Sequence, residues 1–143
     1  MTPEGSAGAG EKRRLRLLTF STLFPNAVSP HHGVFVENRL RHLVASGETE
    51  SRVIAPIPWF PSSNPRFGSY ASYATAPRRE VRHGLEVDHP RYPLIPKVGM
   101  TVAPALLYLW SLPAVRRLLR SGYDFDLIDA HYFYPDGVAA ALI

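Results

Sequence analysis

The chain has 143 residues, 45% apolar and 20% charged, which suits one soluble globular domain with a real core and is too short for two of ordinary size. Its net charge of +4 suits an anionic partner such as a phosphate, a nucleotide or an acidic membrane surface, without choosing among them. The absence of cysteine excludes disulfides, thiolate metal sites and a cysteine nucleophile, and fits a reducing compartment.

Residues 1–14 read as a disordered tail, Gly/Ala/Ser-rich and then basic at Lys12, Arg13 and Arg14. The run Leu15 to Phe20 follows. Arg16 and Thr19 interrupt it and no clean small-residue cleavage site succeeds it, so it reads as a first strand rather than a signal peptide. Its nearly continuous apolar character is that of a strand buried on both faces of a parallel sheet. A loop over Ser21 to His32 is punctuated by Pro25, Asn26 and Pro30. Gly33 opens a helical pattern through Val34, Val36, Leu40, Leu43 and Val44, with Glu37, Arg39 and Arg41 on the other side and Gly47 as the stop. Arg52 to Ala55 is the second strand, so the unit predicts a right-handed parallel crossover.

Pro56 to Pro77 is rich in proline and aromatics and predicts an extended excursion with one short helix near Ser69 to Ala74. Glu80 to Val87 alternates around Gly84 and reads as either a β-hairpin or a bulged strand, ended by Arg91-Tyr92-Pro93. Val98 to Val115 carries no charged residue over 18 positions, the crude length of a membrane span. Gly99, Thr101, Pro104, Ser111 and Pro113 dilute it, so a buried helix, kinked or restarted near Pro113, is expected instead. Arg116, Arg117 and Arg120 complement the negative end of its dipole. Phe125 to His131 reads as another strand and Tyr132 to Pro135 as a loop. A last helix begins at Asp136-Gly137 and runs to Ile143. Ending on an apolar, uncapped helix predicts a truncated domain.

Ligands of open parallel sheets bind at the carboxyl ends of the strands. Gly33 stands there, before a helix N-terminus whose outward N–H groups and dipole favour a phosphate; the alternative is a glycine that only satisfies a tight turn. His131 ends a strand, where a neutral imidazole can donate to a ligand hydroxyl or shuttle a proton; the alternative is a ring bonded to backbone. Asp136 is read as the N-cap of the last helix ahead of a site carboxylate. His31, His32, His131 and Asp136 lack recognised ligand spacing, so no metal is expected. The basic and aromatic residues between Arg66 and Arg91 show no nucleic-acid module, and there is no G-x-G-x-x-G or P-loop.

Several stretches form a familiar order: Leu18 to Pro25 (LTFSTLFP), Ser29 to Val36 (SPHHGVFV), Val53 to Pro56, Pro90 to Pro93, and Phe125 to His131 running into Tyr134-Pro135-Asp136-Gly137. Over residues 15–143 the chain resembles the N-terminal, acceptor-side domain of glycosyltransferase family 4, a GT-B fold. The resemblance implies a Rossmann-like parallel sheet with flanking helices, incomplete at the C-terminus. It implies retaining transfer of a hexosyl-type sugar from a nucleotide-sugar donor to a glycan or lipid-linked acceptor, without metal or other cofactor. Gly33 matches the family glycine at the donor diphosphate, and His131 the histidine at the donor sugar. The expected setting is cytoplasmic, peripheral on the inner face of an anionic membrane, as in polysaccharide biosynthesis. The family's second domain is not in the sequence, so the chain is expected to be inactive alone or to need a C-terminal partner. The competing reading is a free-standing sugar- or lipid-binding module; no nucleic-acid partner is expected.

Overall fold

In the computed structural model, residues 10, 12–94 and 99–143 are described. The expected tail over 1–14 therefore lies largely outside the described residues, as does Val98. The chain order is β1 (Leu15–Phe20), α1 (Val34–Ala45), β2 (Thr49–Ile54), β3 (Ile57–Trp59), α2 (Ser69–Thr75), β4 (Arg79–Arg82), β5 (Leu85–Asp88), β6 (Arg91–Pro93), α3 (Gly99–Arg120), β7 (Leu127–Ala130) and α4 (Val138–Leu142). It is a mixed α/β fold around a mostly parallel sheet in the order β4-β5-β2-β1-β7, with only β4 antiparallel to its neighbour.

Alternation along the strands builds two cores, because successive side chains point to opposite faces. Leu18, Phe20 and Ile54 meet Leu107, Ala114 and Val115 of α3 and Ala139 and Ala140 of α4. Val53, Ala55, Leu85 and Val87 meet Val36 and Leu40 of α1, with Phe24. Helices thus cover both faces, as a parallel sheet requires.

The short strands β3 and β6 form a separate parallel pair, where only an extended excursion was expected. They continue the β2–β5 ladder. The register Ile54↔Asp88 resumes unchanged at Ile57↔Arg91. Between them stand Pro56 and Pro90, which have no N–H to donate and so break the ladder. The open choice over residues 80–87 resolves as a hairpin: His83 and Gly84 have φ of 49° and 80°, the two positive values that a tight two-residue turn needs.

Two expectations about helices need correction. Glu37 is not on the outer side of α1. It is 2% exposed, and Arg82 of β4 donates to both its oxygens at 3.0 and 3.3 Å. A carboxylate that meets an arginine fork tolerates a burial that periodicity alone would forbid. Nor is α3 buried all round or restarted at Pro113. It runs unbroken through Pro104 and Pro113, burying Leu107, Ser111, Ala114 and Val115 on one face while Met100, Leu109, Trp110 and Leu119 stay exposed. None of the described helices is long and apolar enough to cross a membrane.

Candidate functional site at the sheet's switch point

From β1 the chain steps through α1 to β2 on one side, and later returns through α3 to β7 on the other. Strand order therefore reverses between β1 and β7, and the carboxyl ends of those strands flank the crevice where such folds hold ligands. The loops leaving them carry most of the residues that the sequence singled out.

Gly33 caps α1 in the left-handed conformation, at φ 68° and ψ 27°, and no side chain caps the helix. A Cβ there would lie 2.5 Å from the carbonyl carbon and oxygen of Leu23. Glycine is thus demanded by backbone conformation and by close approach together. Of the first-turn N–H groups of α1, that of Val36 is bonded to the Gly33 carbonyl at 2.9 Å, while Val34 and Phe35 have no intrahelical acceptor, as at any α-helix start.

His131 follows β7, its N–H directed to the Phe20 carbonyl at 3.4 Å. Its Nε2 lies 3.2 Å from Arg39 Nη1, which also donates to Asp129 Oδ2 at 2.8 Å. A guanidinium only donates, so Nε2 must accept, and the ring proton is assigned to Nδ1. The imidazole is then held in one tautomer with an Nδ1–H left to donate. The ring is bonded by a side chain, while the backbone N–H of the same residue is bonded to backbone. Sequence reading placed Arg39 on the solvent side of α1 and gave Asp129 no role. The available signal for Asp129 was its position two residues before His131, on the same strand face. Arg39 carried none.

Asp136 is not the N-cap of α4; Gly137 occupies that position and no side chain caps the helix. Instead Asp136 is fully buried, and its carboxylate accepts from the Thr22 N–H at 2.8 Å and from the Thr22 hydroxyl at 2.9 Å. Burial raises the carboxyl above its usual range, while the Thr22 and Ser21 hydrogen bonds pull the other way. The residue thus ties the loop after β1 to the loop after β7. Thr22 also accepts, through its carbonyl, from the His32 ring at 3.1 Å; His31 and His32 are both exposed. Among the described residues, no group of three His, Cys, Asp or Glu is placed to hold a metal ion.

Between these loops Tyr132 has φ 71°, a conformation costly for a bulky residue. It begins an exposed aromatic run: Tyr132, Phe133, which is 90% exposed, and Tyr134, whose hydroxyl donates to the Met100 carbonyl. Beside the crevice lies a hollow of about 240 Å³ lined by Thr22, Asn26, His32, Tyr73 and Tyr92. Burial pushes the Tyr92 phenol up to about 12, so it stays a neutral donor at physiological pH.

The chain is 29% identical over 132 residues, 90% of its length, to the putative teichuronic acid biosynthesis glycosyltransferase TuaC of Bacillus subtilis (strain 168). It spans about a third of the length of that curated relative (33%). No protein-family model matches the chain, and no solved structure does. The sheet, the crevice and this similarity together make the chain glycosyltransferase-like.

Proposed function

We propose that this chain is the acceptor-side part of a retaining glycosyltransferase of family 4 type and GT-B architecture. The transfer takes a hexosyl-type sugar from a nucleotide-sugar donor to a glycan or lipid-linked acceptor. The observation that carries the reading is the pairing, across the switch point, of the uncapped α1 start at Gly33 with a histidine locked by Arg39 and Asp129.

In this reading the donor diphosphate lies against the first-turn N–H groups of α1, where the helix dipole and the absent Gly33 side chain admit it. The Nδ1–H of His131 donates to a donor-sugar hydroxyl. That bond strengthens as the transition state gains oxocarbenium character and the leaving diphosphate gains charge. No step requires a metal. The name of the relative makes an acidic polysaccharide the proposed product class. Because the match spans a third of that relative, we place the rest of the donor site on a second domain and expect this chain alone not to turn over donor. The apolar and basic face of α3, with Leu109, Arg116 and Arg120 exposed, is proposed to rest on an anionic membrane. Liposome co-sedimentation independent of anionic lipid removes that contact.

Amide NMR of the chain with uridine and guanosine diphosphates tests the site. The amides of Gly33 and Val34 should shift saturably, and the response should weaken by about tenfold in His131→Ala with sugar-bearing donor but not with diphosphate alone. Unmoved amides sink the donor-site assignment. Nucleotide release from donor sugars by the isolated chain overturns its inactivity.

A further inference from the structure

A second concavity lies on the other flank of the sheet, between α3 and the β4–β5 hairpin. It holds about 700 Å³, within the range of small-molecule pockets. Trp59 and Trp110 both line it and remain 54% and 46% exposed. They are the two tryptophans of the chain. Exposing both indoles in one groove leaves flat apolar surface, each with an N–H donor, uncovered.

The groove is also rich in positive charge. Arg78, Arg79, Arg91 and Arg117 line it with a single carboxylate, Asp88. Asp88 Oδ1 takes Arg79 Nε at 2.8 Å and Arg117 Nη2 at 3.5 Å. Arg91 donates to the His89 carbonyl at 2.7 Å and to the Ala76 carbonyl, so its charge is fixed in place, and it makes no ion pair among the described residues. Burial, and then the neighbouring Arg78, push the Arg91 guanidinium below its usual value. Arg78 is exposed and makes no ion pair among the described residues. The buried His89 ring is already engaged, by the Ala55 carbonyl at 2.9 Å and Glu80 at 2.7 Å.

We propose that this groove binds an acidic sugar residue of a saccharide chain, a pyranose bearing a carboxylate. Indoles match the apolar face of such a ring, and guanidinium forks match its carboxylate. The concave shape favours a compact ring over a flat lipid surface. The charge is gathered at one spot rather than drawn out as the stripe that tracks a nucleic-acid backbone. Sheet order places β5 at this groove and β7 at His131, with β2 and β1 between, so the two sites are separate. Use of the groove to hold a growing acidic acceptor rests on the glycosyltransferase reading. Binding itself does not, so loss of diphosphate binding at Gly33 leaves the groove standing.

Intrinsic tryptophan fluorescence reports on this groove alone, because both tryptophans lie in it. The full chain is titrated with an oligogalacturonate and with a neutral oligosaccharide of equal length. A saturable change is expected with the acidic oligomer, at least tenfold weaker with the neutral one. Arg78→Ala combined with Arg117→Ala should weaken acidic binding at least tenfold, with unchanged circular dichroism because both side chains are on the surface. The double lysine variant, which keeps charge but loses the forks, should fall between. No saturable change, equal response to the neutral oligomer, or tighter response to inorganic phosphate, anionic vesicles or single-stranded oligonucleotide overturns the proposal. So does undiminished binding by the double alanine variant.

Discussion

At the β1–β7 corner the carboxylates have donors to match: Asp136 takes the Thr22 N–H and hydroxyl, and Asp129 takes Arg39. In the β5–α3 groove four arginines face one aspartate. The first corner spends its polar groups on itself and so holds His131 and the loops rigidly, leaving a few donors free. The second leaves charge and aromatic surface unspent. Preorganisation suits a place where a bond is to be broken; uncompensated charge suits a place that only holds a ligand. Burial separates them as well. Asp136 is fully buried and its donors are short-range and local to the crevice, whereas Arg79 and Arg117 of the groove are exposed and their pairs with Asp88 add little stability.

The largest expected effect that tests this contrast comes from Gly33→Ala. The added Cβ meets Leu23 backbone at 2.5 Å in a left-handed turn, and backbone cannot swing aside as a flexible side chain can. A loss of about 2–4 kcal/mol is expected, read from the urea midpoint. A loss below about 0.5 kcal/mol would show that the loop after β1 is not the rigid half of the comparison.

Next is the pH dependence at Asp136. Its folded pKa is raised, so the folded state holds the proton more tightly than the unfolded chain. Stability is therefore fullest below the ordinary carboxylate range and declines as pH rises through the raised value. Asp136→Asn should flatten that decline between about pH 4 and neutrality, the span above the unperturbed carboxylate value. An unchanged slope in urea titrations would mean that hydrogen bonds from Thr22 outweigh burial.

The smallest effect lies on the buried face of α3. The Ser111 hydroxyl of α3 is fully buried and has no partner among the described residues. Ser111→Ala removes an unsatisfied group and improves helix propensity, for a gain of up to about 1 kcal/mol in thermal or urea unfolding. Destabilisation instead would reveal a hydrogen bond on that face.

Much of the frame was legible in the residues. The run Leu15 to Phe20 is β1 to the residue, the Val36 and Leu40 spacing is α1, and the Gly84 turn marks the hairpin. Each signal sits within a few residues, where side-chain periodicity and glycine's access to positive φ act directly. The positions of Gly33 before α1 and of His131 at a strand end follow from the same local reading, and so does a parallel sheet covered on both faces.

What tertiary structure alone decided are partnerships across long separations. Asp136 reaches Thr22 across 114 residues, Arg39 reaches Asp129 across 90, and Arg82 buries Glu37 across 45. The groove gathers Trp59, Arg78 and Arg117 from three different elements or their connections. No local pattern encodes such meetings, because they depend on which strands become neighbours. The sequence by itself determined where the chain turns, which faces are apolar and where the strands end. Strand order then decided which charged groups meet, and so which acid is buried, which histidine is locked and which arginines remain free.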